Sequence, residues 1–476
     1  MSGRPNKKSV GPPPRQNDAP RKKIDKPAPA RPSTLRYIFM SLLPIVLTIL
    51  VRYFLAEAKG SDIEVLKPLI PPVVNDTELA WGAHRAQHYF GLRQRQENSP
   101  LFGMMWFVQP LDYSMPNIRH WCNQGDGINS YAWTEADGRS FGRQAINDTV
   151  TLIKTDWLAS SDSSFSARVK SIAHNKKSTA RVNFFFYLAF ESRSQGRVKL
   201  PDNHEWEVVG DSDELGDFKL TVTSPQKEKT FVTELVIEGA KTQKLHDYAM
   251  KHMRASETQF GVIYVLTQDA TAKASDNANF AVLAINAPAD AQFDISFARD
   301  DGMKPPLGKD FDVELNKKVQ TFEAQFEKAF GLNDKGFSES ELKMARVALS
   351  NMLGSIGVWR GANKVSISNS PETVPYGPHF LLSAVPSRPF FPRGFLWDEG
   401  FHQLLISKFD PVLSLECIVS WLNTMNVNGW IPREMILSPE AEAKVPSEFV
   451  AQHPDVANPP SFLYLLDTIT ADDKVR

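Results

Sequence analysis

A chain of 476 residues is too long for a single core, and its 42% apolar and 23% charged residues are ordinary for globular domains. A formal net charge of -1 leaves no basic excess to neutralise phosphates, which excludes a nucleic-acid binder. Two widely separated cysteines, Cys122 and Cys417, exclude a disulfide scaffold and a cysteine metal centre.

Residues 1–36 carry ten basic and two acidic side chains among Pro, Gly, Ser and Asn, with no apolar periodicity, and read as a disordered cytosolic tail. The next stretch, 37–55, runs from Tyr37 to Leu55 with Arg52 as its one charge, close to the roughly 20 residues that span a bilayer. A cleaved signal peptide, for which Ala56-Glu57-Ala58 offers a small-residue site, and a buried helix are the competing readings. The length of the apolar run and its basic flank favour an uncleaved anchor with the tail cytosolic and the remainder translocated. In that orientation Asn75-Asp76-Thr77 and Asn147-Asp148-Thr149 become glycosylation acceptors at Asn75 and Asn147.

From 56 to about 300, short runs rich in Val, Ile, Phe, Thr and Tyr are bounded by Gly, Pro, Asn, Asp or Ser. "LFGMMWFVQP", "TLIKTDWLAS", "RVNFFFYLAF", "FKLTVTS", "TFVTELVIEG", "FGVIYVLTQ", "NFAVLAI" and "QFDISFAR" predict a large β-sandwich, with "AKTQKLHDYAMKHMRAS" as its helical exception. Beyond Lys309 the period changes. Val319, Phe322, Phe326 and Phe330 share one helical face, and Ser338 with Glu341 has capping-box spacing before Leu342, Ala345, Leu349 and Leu353. "DPVLSLECIVSWLNTMNVNG" and "PSFLYLLDTI" predict further helices, the first ending near Asn428-Gly429, so 301–476 reads as helical with Pro-rich, aromatic loops.

Three clusters could carry chemistry: Cys122 to Gln144, "PFFPRGFLWDEGFHQ" (Pro389 to Gln403), and "NGWIPREMIL" (Asn428 to Leu437). Sugars offer hydroxyls to carboxylates and a C–H face to aromatic rings, which suits loops rich in Trp, Phe, Asp, Glu and Arg. Glycoside hydrolysis needs two carboxylates flanking one bond, about 5–5.5 Å apart for retention and roughly 6.5–9.5 Å for inversion. Asp398 and Glu399 are adjacent, so they point to opposite faces of a strand or about 100° apart on a helix, and one of them at most faces a sugar. Glu434 could supply another carboxylate; equally, Asp398 and Glu434 could pair with Arg393 and Arg433 to pin loops. His402 suits a structural hydrogen bond to its neighbours. No Gly-x-Ser-x-Gly, phosphate loop or zinc spacing is present.

"FFPRGFLWDEGFHQLLI", "GWIPREMILSPEAEAKVPSEFV" and "ANPPSFLYLL", preceded in order by "WGAHRAQHYFGL", "IRHWCNQGDGINSYAW" and "DGRSFGRQ", resemble glycoside hydrolase family 63, the processing α-glucosidases. The resemblance runs from about Leu79 to the end of the sequence. It implies an N-terminal β-sandwich packed on an (α/α)6 barrel, in a single-pass type II protein of the endoplasmic reticulum membrane. The implied activity is removal of the terminal α-1,2-linked glucose from the precursor N-glycan of glycoproteins, with inversion and no cofactor or metal. Its partners would be the glucosylated high-mannose glycan and, through one helix, the membrane. Carried over residue by residue, Arg393, Phe395, Trp397, Asp398 and Glu399 line the glucose pocket, joined by Trp430, Arg433 and Glu434.

The family's general acid lies in a later Gly-Leu-Asp-Asp-Tyr-Pro-Arg segment, and its base later still; neither motif occurs here. By that resemblance both catalytic groups are expected beyond Arg476, and no residue of this sequence is assigned either role. Twelve barrel helices with loops need about 200 residues at the least, more than follow the helical switch. The expectation is therefore an incomplete barrel with exposed apolar helix faces, and no turnover by this chain alone. A membrane-anchored glycan-binding or regulatory isoform is the alternative, and a trehalase-like hydrolase a weaker third reading.

Overall fold

The structure, a computed structural model, describes residues 66–69 and 80–471 apart from 111, 113, 161–162, 203–205, 269–275 and 368–371. The basic tail, the 37–55 segment and Asn75 lie outside the described residues. So does Arg476, and the expectation that a general acid and base lie beyond it falls outside them too. Among the described residues no helix is long and apolar enough to cross a membrane.

Residues 80–299 form two antiparallel sheets. The six-stranded sheet runs in the order Trp81–Gly82, Gly91–Gln94, Leu101–Val108, Arg181–Ala189, Phe280–Pro288, Phe231–Ile237. The eight-stranded sheet is a meander from Ser130–Ala136 through Phe141–Asn147, Thr151–Ala159 and Phe165–Ala173, extended by Ala291–Arg299, Gly216–Thr223, Glu207–Ser212 and Arg197–Lys199. Side chains alternate along a strand, so one strand serves two layers. In Arg181–Ala189, Phe184, Phe186 and Leu188 enter the core between the sheets and meet Phe293, Ile295 and Phe297 from the opposite sheet. Phe185, Tyr187 and Ala189 face the other way, under a layer built from the helix Leu245–His252 and the hairpin Met253–Thr258/Gly261–Leu266. Double coverage explains why "RVNFFFYLAF" reads as a continuous apolar run.

The C-terminal region contains the helices Gly308–Phe330, Glu339–Leu353, Leu396–Phe409, Pro411–Leu422 and Ser461–Ala471. The predicted capping box is present: Ser338 accepts from the Glu341 N–H while the Glu341 carboxylate accepts from the Ser338 N–H. Two expectations need correction. The region is not purely helical, because Ile356–Ser366 and Thr373–Ala384 pair as a long antiparallel hairpin that buries Tyr376, Leu381 and Leu382. Gly357, Gly361, Pro375 and Pro378 break up the strand pattern in sequence. Gly361, next to a bulge in the ladder, has φ +139°, and a Cβ there would sit 1.7 Å from the Leu437 carbonyl oxygen. The helix predicted to reach Asn428-Gly429 stops at Leu422. Asn426 takes over, accepting from the Asn428 and Trp430 N–H groups at 3.0 and 2.7 Å in a turn that places Gly429 at φ +81°.

Cys122 is buried in the sandwich core and Cys417 among the C-terminal helices, and both are free thiols. The sandwich and the helical region meet across buried polar groups. Arg85 donates to Glu440 at 2.9 Å and Gln87 to the other oxygen of that carboxylate at 2.5 Å. Arg85 also donates to the Tyr187 hydroxyl at 2.7 Å, which in turn lies 2.8 Å from His120 Nε2. "WGAHRAQHYFGL" is thus a seam motif, dense in polar groups because it joins two domains.

Candidate functional site

The Pro389–Gln403 stretch is folded by its neighbours. A turn closes where the Phe391 N–H donates to the Ser387 carbonyl at 2.9 Å, leaving Phe390 and Phe391 about half exposed. Gly394-Phe395 then pairs antiparallel with Glu434-Met435, and the Leu396 N–H donates to the Arg433 carbonyl at 3.0 Å. Two distant sequence clusters become one wall. From Leu396 the chain is helical, which corrects the reading of this stretch as a loop.

Arg393 is 2% exposed and gives both Nε (2.9 Å) and Nη2 (2.6 Å) to Glu434 Oε2. Its guanidinium lies 4.8 Å from the Phe395 ring centre and 5.7 Å from that of Phe391. Arg393 Nη1 is enclosed and has no partner, so the stacked guanidinium is only partly satisfied. The pinning role considered for Glu434 is real, and Arg393 is its partner. Arg433 is exposed and donates instead to Asn458 Oδ1 at 3.1 Å.

The start of the helix decides between the adjacent acids. Glu399 is fully buried and accepts from Ser383 Oγ at 3.0 Å, the Ala384 N–H at 3.1 Å and Gln403 Nε2 at 2.7 Å, with His402 Nδ1 at 3.1 Å. Its hydrogen-bonding capacity is spent inside the protein. Asp398, about 100° round the same first turn, is only partly buried and makes no ion pair among the described residues. Burial pushes its carboxyl above the ordinary range, opposed by nearby His402 and by its own backbone. Trp397 is 41% exposed and touches Phe401, 46% exposed, edge to face at 5.6 Å. Trp430 faces inward, against Tyr376 at 5.6 Å, with its indole N–H on the Val456 carbonyl.

The structure therefore brings Arg393, Phe395 and Glu434 into direct contact and presents Trp397 and Asp398 from the next turn, with Arg433 at the rim. Glu399 and Trp430 are packed in the interior behind them. Exposed rings and one uncommitted carboxylate can hold a sugar by its C–H face and its hydroxyls, with the buried Arg393–Glu434 pair fixing the wall behind them. Among the described residues no group of three or more His, Cys, Asp or Glu could hold a metal. Asn147 ends a strand half buried, with Oδ1 enclosed and unpartnered, and Asp148 beside it is fully buried on Arg119 and Trp106. Sequence reasoning did not single out Arg388, which ties this wall to the sandwich. The dipeptide Ser387-Arg388 gives no hint that its partners are backbone carbonyls.

Residues 78–279 match the glycosyl hydrolase family 63 N-terminal domain, and residues 307–476 match the glycosyl hydrolase family 63 C-terminal domain. The chain is 33% identical over 479 residues to a protein of Arabidopsis thaliana named mannosyl-oligosaccharide glucosidase GCS1, covering 90% of this chain and 53% of the relative. It is 31% identical over 421 residues to alpha-glucosidase 2 of the same plant, covering 82% of this chain and 51% of that relative. It is 27% identical over 465 residues to mannosyl-oligosaccharide glucosidase of Saccharomyces cerevisiae, covering 81% and 54%. The chain spans about half the length of the curated relatives it matches.

Proposed function

Because this chain belongs to glycosyl hydrolase family 63, with both of the family's domains matched in order, we propose that its C-terminal wall recognises the terminal α-1,2-linked glucose of a precursor N-glycan. In the corresponding whole protein this recognition serves glucose removal with inversion. The relatives' names, mannosyl-oligosaccharide glucosidase, support the substrate class. The observation that carries the reading is the paired stretch Gly394-Phe395/Glu434-Met435, which holds Arg393 on Phe395 and Glu434 just before the helix that presents the exposed Trp397 and the unpaired Asp398. The helical region is read as a portion of an (α/α)6 barrel.

This chain alone binds and does not turn over. Hydrolysis needs two carboxylates free to act. Of the acids in the wall, Glu399 is consumed by four internal groups, Glu434 is held by Arg393, and Asp398 alone is uncommitted. Incubation with a triglucosylated N-glycan followed by quantification of free glucose tests this; release at an enzymatic rate would reject it. The Tyr37–Leu55 segment is proposed to anchor the chain as a type II protein of the endoplasmic reticulum membrane, with Asn75 and Asn147 lumenal. Protease protection of residues beyond 56 in intact microsomes would support that topology, and digestion would refute it.

A further inference from the structure

We propose that Arg388 is a positioning residue through which the β-sandwich sets the geometry of the glucose-binding wall; this rests on the glycan-recognition reading above. Arg388 is 9% exposed and lies one residue before the Pro389–Gln403 stretch. It reaches into the other domain. Nε donates to the Ala86 carbonyl at 3.1 Å, Nη2 to the carbonyls of His88 and Tyr89 at 2.6 and 3.1 Å, and Nη1 to Gln144 Oε1 at 3.1 Å. The guanidinium also lies over the rings of Tyr131 and Trp133, at 5.4 and 5.8 Å. Gln144 is itself fixed, donating through Nε2 to the Tyr89 carbonyl at 2.7 Å and to Thr155 Oγ1 at 3.1 Å.

Arginine's rigid planar fork can serve acceptors in several directions at once, whereas lysine's single ammonium cannot reproduce that set. The receiving groups are mostly main-chain carbonyls of the sandwich, so what Arg388 reads is the position of that domain's backbone. On the other side only a short turn separates it from the wall. The Phe391 N–H returns to the Ser387 carbonyl, the Arg393 N–H to the Phe391 carbonyl, and the next two residues join the Glu434-Met435 strand. Exposed Phe390 and Phe391 gain little from burial where they stand, so the turn draws its placement from its two ends. One end is the Arg393–Glu434 pair, and the other is Arg388. All three sequence clusters singled out above therefore converge on one turn: Gln144 closes the first, Arg388 precedes the second, and Glu434 belongs to the third.

The test compares the full chain with Arg388→Lys and Arg388→Ala, using hydrogen exchange and titration with an α-1,2-linked glucose disaccharide. Expected is a tenfold or greater rise in exchange at the Phe391, Arg393, Gly394 and Phe395 amides, with protection in the Arg181–Ala189 strand unchanged, and affinity for the disaccharide reduced at least tenfold. A merely structural role would raise exchange throughout the sandwich and lower the melting temperature while leaving the affinity of the folded protein unaltered; that outcome overturns the proposal. So does wild-type exchange at the four wall amides. Arg388→Lys, which retains the charge, keeps the test decisive if Arg388→Ala does not fold. Failure of the unaltered protein to bind the disaccharide would reject the glycan reading, and the wall amides alone would then decide whether Arg388 positions the turn.

Discussion

The two halves of the molecule bury their apolar surface in different ways. In the sandwich, even the central strand Arg181–Ala189 is covered on both faces, and each of its aromatic side chains lies in a packed layer. In the helical region the inner faces are sealed by Phe322, Phe409, Leu413 and Cys417, while Val412, Leu415 and Val419 of one helix and Leu463, Tyr464 and Leu466 of another are 37–67% exposed. Soluble proteins rarely leave contiguous apolar surface of this kind uncovered. The difference shows that the sandwich is complete within its own layers, whereas helical pattern alone does not guarantee closure of a core.

The largest effect is expected where the halves meet. Arg85→Ala strands Glu440, a buried carboxylate, without its cation, and should cost about 3–5 kcal/mol by chemical denaturation. A cost below about 1 kcal/mol would mean that the seam does not hold the halves together. Within the sandwich, Phe293→Ala removes a ring packed on Phe184 and Phe186 and should cost about 3–5 kcal/mol. The same truncation at Leu415, 58% exposed, should stay within about 0.5 kcal/mol. Comparable losses at the two positions would break the contrast between a sealed and an open-faced half.

Acid should weaken the seam next. His88 and His120 are buried 4.6 Å apart, and burial, followed by the charge of Arg85, holds both well below 6.5. The folded protein keeps them neutral while the unfolded chain protonates near 6.5, so their contribution is intact above that pH and is lost as pH falls below it. Each should remove up to about 1.4 kcal/mol per pH unit in that window. His120→Phe should flatten the slope of stability against pH below 6.5, and an unchanged slope would exclude His120 as a source. The smallest loss should come from the cap: Ser338→Ala is expected to cost about 1 kcal/mol, read from the thermal midpoint.

Legibility in the sequence followed the same division. Strands such as Thr151–Ala159 could be read from the alternation of β-branched and polar residues, and "RVNFFFYLAF" from its unbroken apolar run. Phe165–Ala173, with Arg168 and Lys170 on a half-solvated face and small Ala167 and Ser171 on the buried one, gave a weaker signal. The hairpin after Ser355 was hidden because its glycines and prolines look like loop punctuation until the partner strand is seen. At the site, the residues of the wall were recognisable by type, and their roles were not. Whether Asp398 or Glu399 faces outward depends on which residue starts the helix, and Phe395 at that N-cap offers no capping side chain to announce it. The Arg393–Glu434 pair was foreseeable as one option among several. The long-range bonds of Arg388 and Glu440 were invisible because their partners lie far away in sequence and are in part backbone carbonyls.

The most direct test of the recognition wall is calorimetric titration of the full chain with an α-1,2-linked glucose disaccharide, alongside Arg393→Ala. Saturable binding by the unaltered chain, weakened at least tenfold in the variant, is the predicted result. Equal affinity in both, or no binding by the unaltered chain, would contradict it.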